Sequence, residues 1–193
     1  MKNHLSFDEF RGVRQIIGLL EQRPDLSFTK EHLLRNRSWR ENFALLSKYN
    51  LSFDLQLYPE QMKEAAEFLG DFPKVPIVID HAGSPYDQAE SGLKFWREGL
   101  SAMAKLPNIH IKLSGFGMYD SDWSSESSLL LFQTILELFG AHRIMWGNNF
   151  PVESLMKSYS LCVKQMMNWT SSLSSEEQIL IASQTAYKFY RVT

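Results

Sequence analysis

The sequence predicts an α/β fold in which parallel strands alternate with helices, and three observations carry that prediction. Short apolar runs recur along the chain. Amphipathic stretches of helical period lie between them. No tight-turn signal joins two runs into a hairpin, so successive strands return through helices and run parallel. The shortness and β-branched content of the runs favour strand over buried helix.

The first strand is "GVRQII", residues 12–17. Residues 38–49, "SWRENFALLSKY", read as the first helix. Ser38 and Glu41 make a capping-box pair, and Phe43, Leu45, Leu46 and Tyr49 make its apolar face. "LSFDLQL" (51–57) is the second strand. Helix 59–69 opens on Pro59 and stops before Gly70. "VPIVIDH" (75–81) is the third strand. Helix 89–104 sets Leu93, Trp96, Leu100 and Met103 on one side. "IHIKLSG" (109–115), a helix over 127–140 and "RIMWG" (143–147) continue the alternation. Helices at about 154–169 and 174–190 follow, the second with its own capping box, Ser174 and Glu177.

The chain has 193 residues, 44% of them hydrophobic, which is enough to bury the core of a single domain over 1–193. Twenty basic residues face 22 acidic ones, and the net charge of −2 points away from nucleic-acid and membrane-surface partners. The one basic cluster, Arg35, Arg37 and Arg40, reads as the solvated start of a helix. Cys162 stands alone, so no internal disulfide is expected, and a reducing cytoplasm fits. No apolar run approaches the roughly 20 residues of a membrane span. The opening "MKNHLSFDEF" has no signal-peptide stretch.

In parallel β/α folds, ligands meet the carboxyl ends of the strands. "VPIVIDHAG" (75–83) is an apolar strand that ends there in Asp80 and His81. Gln56, Tyr58, Ser114, Asn148 and Asn149 end other strands. Arg14 and Lys112 lie inside strands, where a charge must be paired or aimed at a cavity. This convergence marks one pole as the candidate site. Strand alternation turns Asp80 to the face opposite His81, where it is expected to anchor a loop or helix. Asp54 shares a face with Gln56. Lys112 reads as an inward pairing residue, with a desolvated reactive amine as the alternative. His110 belongs to the floor, and His142 to a cap on the preceding helix. "SGFGMYDSDWSSES" (114–127), with Asp120 and Asp122, reads as a loop over the mouth.

Taken in order, "GVR", "LSFDLQLYPEQ", "VIDHAGSP", "IHIKLSG", "RIMWGNNFPVE" and "TAYKFYRV" resemble the amidohydrolase-related family of TIM-barrel hydrolases. The similar branch is that of the sugar-lactone and 2-pyrone-4,6-dicarboxylate lactonases. The resemblance runs from Gly12 onward. It implies a (β/α)8 barrel and hydrolysis of a small anionic lactone, a cyclic ester, or a related bond. It places His81 at the reaction centre, polarising the carbonyl or binding a divalent zinc or manganese. It gives Arg14 to the carboxylate of a small-molecule substrate, and Gln56, Tyr58, Lys112 and Ser114 to the pocket wall.

The sequence departs from that family at two places. The His-x-His of the family's first strand is missing, and five strands are counted where a barrel of about 250 residues has eight. The expectation is a partial barrel that enters the fold late. With His81 the one ligand in place, a catalytic metal held by this chain alone is not expected. Open strand edges, one at Gly12–Ile16, would favour a homo-oligomer. Asn149 stands where the lactonases carry Asp. A carboxamide orients water but does not take its proton. The competing expectation is an inactive remnant or small-molecule binding module of the same fold.

Overall fold

In the computed structural model, which describes residues 4–120 and 125–192, five strands form one parallel sheet. They are β1 (Gly12–Ile16), β2 (Ser52–Gln56), β3 (Ile77–Ile79), β4 (Ile109–Leu113) and β5 (Ile144–Trp146). Each lies beside its predecessor in the chain. Helices α1 (Arg37–Lys48), α2 (Pro59–Leu69), α3 (Glu90–Ala104) and α4 (Ser125–Phe139) make the four crossovers. After β5 come α5 (Tyr159–Thr170), α6 (Ser175–Ile179) and α7 (Thr185–Tyr190). The expected final helix is interrupted by a π turn, Leu180–Gln184, between α6 and α7. Parallel strands in sequence order, each followed by a helix, make this sheet part of a (β/α)8-type barrel.

The register decides which side chains meet. Arg14 pairs with Asp54, Asp54 with Val78, and Val78 with His110. These residues point to the inner face, and alternation adds Gln56, Asp80, Lys112 and Ser114 to it. The outer face carries Phe53, Leu55, Ile77, Ile79, Ile109, Ile111 and Leu113, all buried under the helices. Its densest part is aromatic: Phe43 lies 5.0 Å from Phe53, 5.3 Å from Phe68 and 5.1 Å from Phe72, edge to face.

The lower inner face is closed by the end of the chain. Phe189 packs with Val78 and Met145, and its ring is 5.0 Å from that of His110. Arg191 Nη2 donates to the Arg11 carbonyl at 2.8 Å, tying the C-terminus to the foot of β1.

Two expected caps are corrected. Asn36, not Ser38, caps α1: its side chain accepts from the Trp39 N–H at 3.0 Å. Asn36 is the last extended residue, and the helix starts at Arg37, so Ser38 already lies inside it. Arg143, not His142, caps α4, donating to the carbonyls of Leu138 and Phe139. Its long side chain reaches back to carbonyls left free at a helix end. The capping box at Ser174 and Glu177 is present. The basic cluster is paired on the surface, Arg35 with Glu64 and Arg37 with Glu41, while Arg40 lies over the Phe68 ring.

Candidate active site

Arg14 rises from β1 on the inner face and meets the end of β3. Its Nε lies 3.0 Å from Asp80 Oδ2. Its Nη2 lies 3.0 Å from His81 Nε2 and 3.4 Å from Gln56 Oε1. Lys112 Nζ sits between two carboxylates, 2.8 Å from Asp80 Oδ1 and 2.6 Å from Asp54 Oδ2. Ser114 Oγ is 3.0 Å from His81 Nδ1. Arg14 and Ser114 thus flank the imidazole, while two carboxylates pair with the two cations. The Asp80 side chain is 0% exposed and that of Arg14 50%, so the network is buried at its centre and open at the guanidinium.

Asp80 corrects the sequence expectation. It does lie on the face opposite to a regularly continued strand residue 81, but that face is the inner one. His81 reaches the site because the strand stops at Ile79 and the backbone turns left-handed. His81 has φ of 53° and Ala82 of 52°. Such a turn is strained for side chains other than glycine. Trp96 from α3 holds it, donating its indole N–H to the Ala82 carbonyl at 2.8 Å. Gly115, at φ +68°, gives the ring its space: a Cβ there would sit 2.7 Å from His81 Nδ1.

The contacts fix the imidazole's protons. A guanidinium only donates, so His81 Nε2 must present its lone pair to Arg14. The proton of the neutral ring is then on Nδ1, donated to Ser114 Oγ. Burial lowers the His81 pKa to about 4, with Arg14 and Lys112 adding to the effect and Asp80 opposing it. At neutral pH the ring is uncharged. Both ring nitrogens of His81 are thus engaged, Nε2 by Arg14 and Nδ1 by Ser114. Burial alone would lower the Lys112 pKa, but Asp80 and Asp54 outweigh it and hold the ammonium above its usual value. This excludes Lys112 as a neutral amine nucleophile.

The shifted histidines make stability depend on pH. His110 is also lowered to about 4 by burial. Below about pH 6.5 the unfolded chain takes up protons that the folded chain refuses until about pH 4. Stability is thus full above pH 6.5 and falls through this window, by on the order of 3 kcal/mol for His81. Urea unfolding at pH 7.5 and pH 5 checks this, and an unchanged free energy would contradict it.

Tyr58 and Asn149 make contacts of their own. Tyr58 is not at the Arg14–His81 pair. Its hydroxyl donates to the Leu26 carbonyl at 2.7 Å, and its ring packs on Phe28 and Tyr86. Asn149, at φ 55°, donates its amide to Met118 Sδ at 3.3 Å. Gly117 N–H donates to Glu153 Oε1 at 2.9 Å, which joins the loops after β4 and β5. Asp122 lies outside the described residues. Asp80, expected to anchor a loop or helix, and Asp54, which the sequence leaves ambiguous beside Gln56, join this network, and Tyr119, which sequence reasoning does not single out, lies next to it. The Tyr119 hydroxyl lies against Ser84 and Gln56, and burial raises its pKa.

The comparisons agree with this fold. The amidohydrolase family matches residues 8–192. The chain is 33% identical over 192 residues to the uncharacterized protein y4mH of Sinorhizobium fredii, covering 100% of this chain and 64% of that one. It is 29% identical over 159 residues to an L-fucono-1,5-lactonase of Burkholderia multivorans, covering 76% of this chain and 53% of that one. A crystal structure of a Burkholderia multivorans amidohydrolase with bound zinc matches with a TM-score of 0.80 at 26% identity, over 95% of this chain and 65% of that one. The chain thus spans less than two thirds of each relative's length.

The residues described here do not fit a zinc ion. The His81 lone pair faces Arg14, and Asp80 is shared by Arg14 and Lys112. Among the described residues no three of His, Cys, Asp and Glu gather as a metal site requires. The likeness to the zinc-bound relative therefore lies in the fold. With parallel strands in sequence order, charged groups gathered at their carboxyl ends and a match over residues 8–192, this chain belongs to the amidohydrolase family.

Proposed function

We propose that the chain is part of a hydrolase that opens a small cyclic ester bearing a carboxylate. The observation that carries this reading is the half-exposed Arg14 guanidinium, fixed by Asp80 and touching the lone pair of a neutral His81. Among the described residues its contacts use Nε and Nη2, which leaves Nη1 for a ligand oxygen. A positive group aimed at a carbonyl oxygen stabilises the oxyanion that forms as water attacks. A substrate carboxylate that draws Arg14 toward itself uncovers His81 Nε2, which is then free to accept the water proton. Water adds to the carbonyl carbon, the ring C–O bond breaks, His81 returns the proton to the leaving ring oxygen, and a hydroxy acid results. Asn149 takes no proton; it can orient water or substrate. The lactonase name carried by one relative supports the ester as the bond class.

The test is a panel of sugar-derived and carboxylate-bearing lactones at millimolar concentration, followed by acid release. The parent protein is expected to exceed the buffer rate and His81→Ala to fall back to it. Opening no faster than buffer, or a variant equal to the parent, contradicts the reading. Tight binding without turnover would favour a binding module.

A further inference from the structure

The charged network does not end at the mouth. Asp54 Oδ2 accepts from Lys112 Nζ at 2.6 Å and from the Tyr190 hydroxyl at 2.7 Å. Tyr190 is the last residue of α7 and lies 136 positions from Asp54 in the chain. From its hydroxyl, contacts run through Asp54, Lys112, Asp80 and Arg14 to His81, none longer than 3.0 Å. α7 is held rigidly enough to define one end of this series. Phe189 packs on Val78, Met145 and His110, the Tyr190 ring stands edge-on to Phe189 at 4.8 Å, and Arg191 binds the Arg11 carbonyl.

We infer that Tyr190 is a positioning residue for the Arg14–His81 pair, acting through Asp54, Lys112 and Asp80. The inference rests on the reading of that pair as the working part of the site. Two carboxylates compete for one ammonium, and in a poorly solvated site that competition is strong. The Tyr190 O–H carries part of the Asp54 charge, so Lys112 stays shared with Asp80. Without it, Lys112 moves toward Asp54. The fully buried Asp80 is left under-paired and draws Arg14 inward, away from the open side where its guanidinium would meet a substrate. The ring packing would hold α7 in place without the hydroxyl, so the hydroxyl acts on the network rather than on the helix.

Tyr190 and Arg14 share no hydrogen bond or ring contact, so their effects on unfolding should multiply unless the network couples them. Urea unfolding of the parent, Tyr190→Phe, Arg14→Met and the double variant tests this. The unfolding constant of the double variant is expected to depart from the product of the single effects by about threefold or more. The departure should vanish with Asp54→Asn in all four proteins. Independent effects, or coupling that survives Asp54→Asn, overturn the inference. In lactone opening, Tyr190→Phe is expected to lower kcat about fivefold with KM within about twofold. Loss of stability with kcat unchanged overturns it too. The unfolding cycle needs no turnover: a chain that opens no lactone refutes the proposed reaction, while the cycle still decides whether Tyr190 reaches Arg14.

Discussion

Arg14→Met is expected to lower kcat/KM for lactone opening by about 1,000-fold. The guanidinium is the one cation of the network that is half exposed, and its position is set by a fully buried carboxylate. Removing a single donor aimed at a developing oxyanion costs roughly 100- to 1,000-fold in rate. Arg14 should lie at the upper end, because the same group would bind the substrate carboxylate. Methionine keeps the length of the side chain, so packing changes little. Arg14→Lys should recover less than about tenfold, because one ammonium does not reach Asp80, His81 and a ligand together as a planar fork does. Steady-state kinetics on the best lactone of the panel decide this. A methionine variant within threefold of the parent would remove Arg14 from the chemistry.

Asp80→Asn is expected to destabilise the fold by about 3–5 kcal/mol. Asparagine has nearly the same shape, so the change isolates the charge. The carboxylate is 0% exposed and shared by Arg14 and Lys112, and its loss leaves two cations around an amide. The contrast is Arg37 and Glu41, an exposed pair on α1 whose loss should cost no more than about 0.5 kcal/mol. Urea unfolding of Asp80→Asn and Arg37→Ala at pH 7.5 gives both numbers. Equal and small losses would mean that the Asp80 pairs contribute no more than surface ones.

Much of this arrangement was legible in the sequence, and the misses have physical causes. The strands and their parallel order follow from short β-branched runs separated by helical periods, a signal carried by neighbouring residues. Arg14, Gln56, Lys112 and Ser114 were legible as polar residues within or ending strands, and alternation through β1, β2 and β4 turns them to one face. Alternation misled at Asp80 because it was carried past Ile79, where the backbone turns left-handed at His81. The sequence "DHAG" shows a glycine nearby but does not announce positive φ at His81 and Ala82, where local backbone bonds and the Trp96 indole together hold the turn. Tyr58 ends up among aromatic neighbours from distant loops, which no local pattern announces. The partnership of Asp54 with Lys112 and Tyr190 joins residues 58 and 136 positions apart. It is set by sheet register and by where the C-terminal helix docks, not by spacing in the chain.

The site depends on a neutral His81 whose Nε2 lone pair is held by Arg14. Nitrogen-15 NMR of ring-labelled histidine at pH 7.5, with His81 assigned by substitution, measures this directly. The expected spectrum shows an uncharged ring protonated on Nδ1, with Nε2 shifted by a donor contact that Arg14→Met abolishes. A charged ring, or a proton on Nε2, would contradict the account.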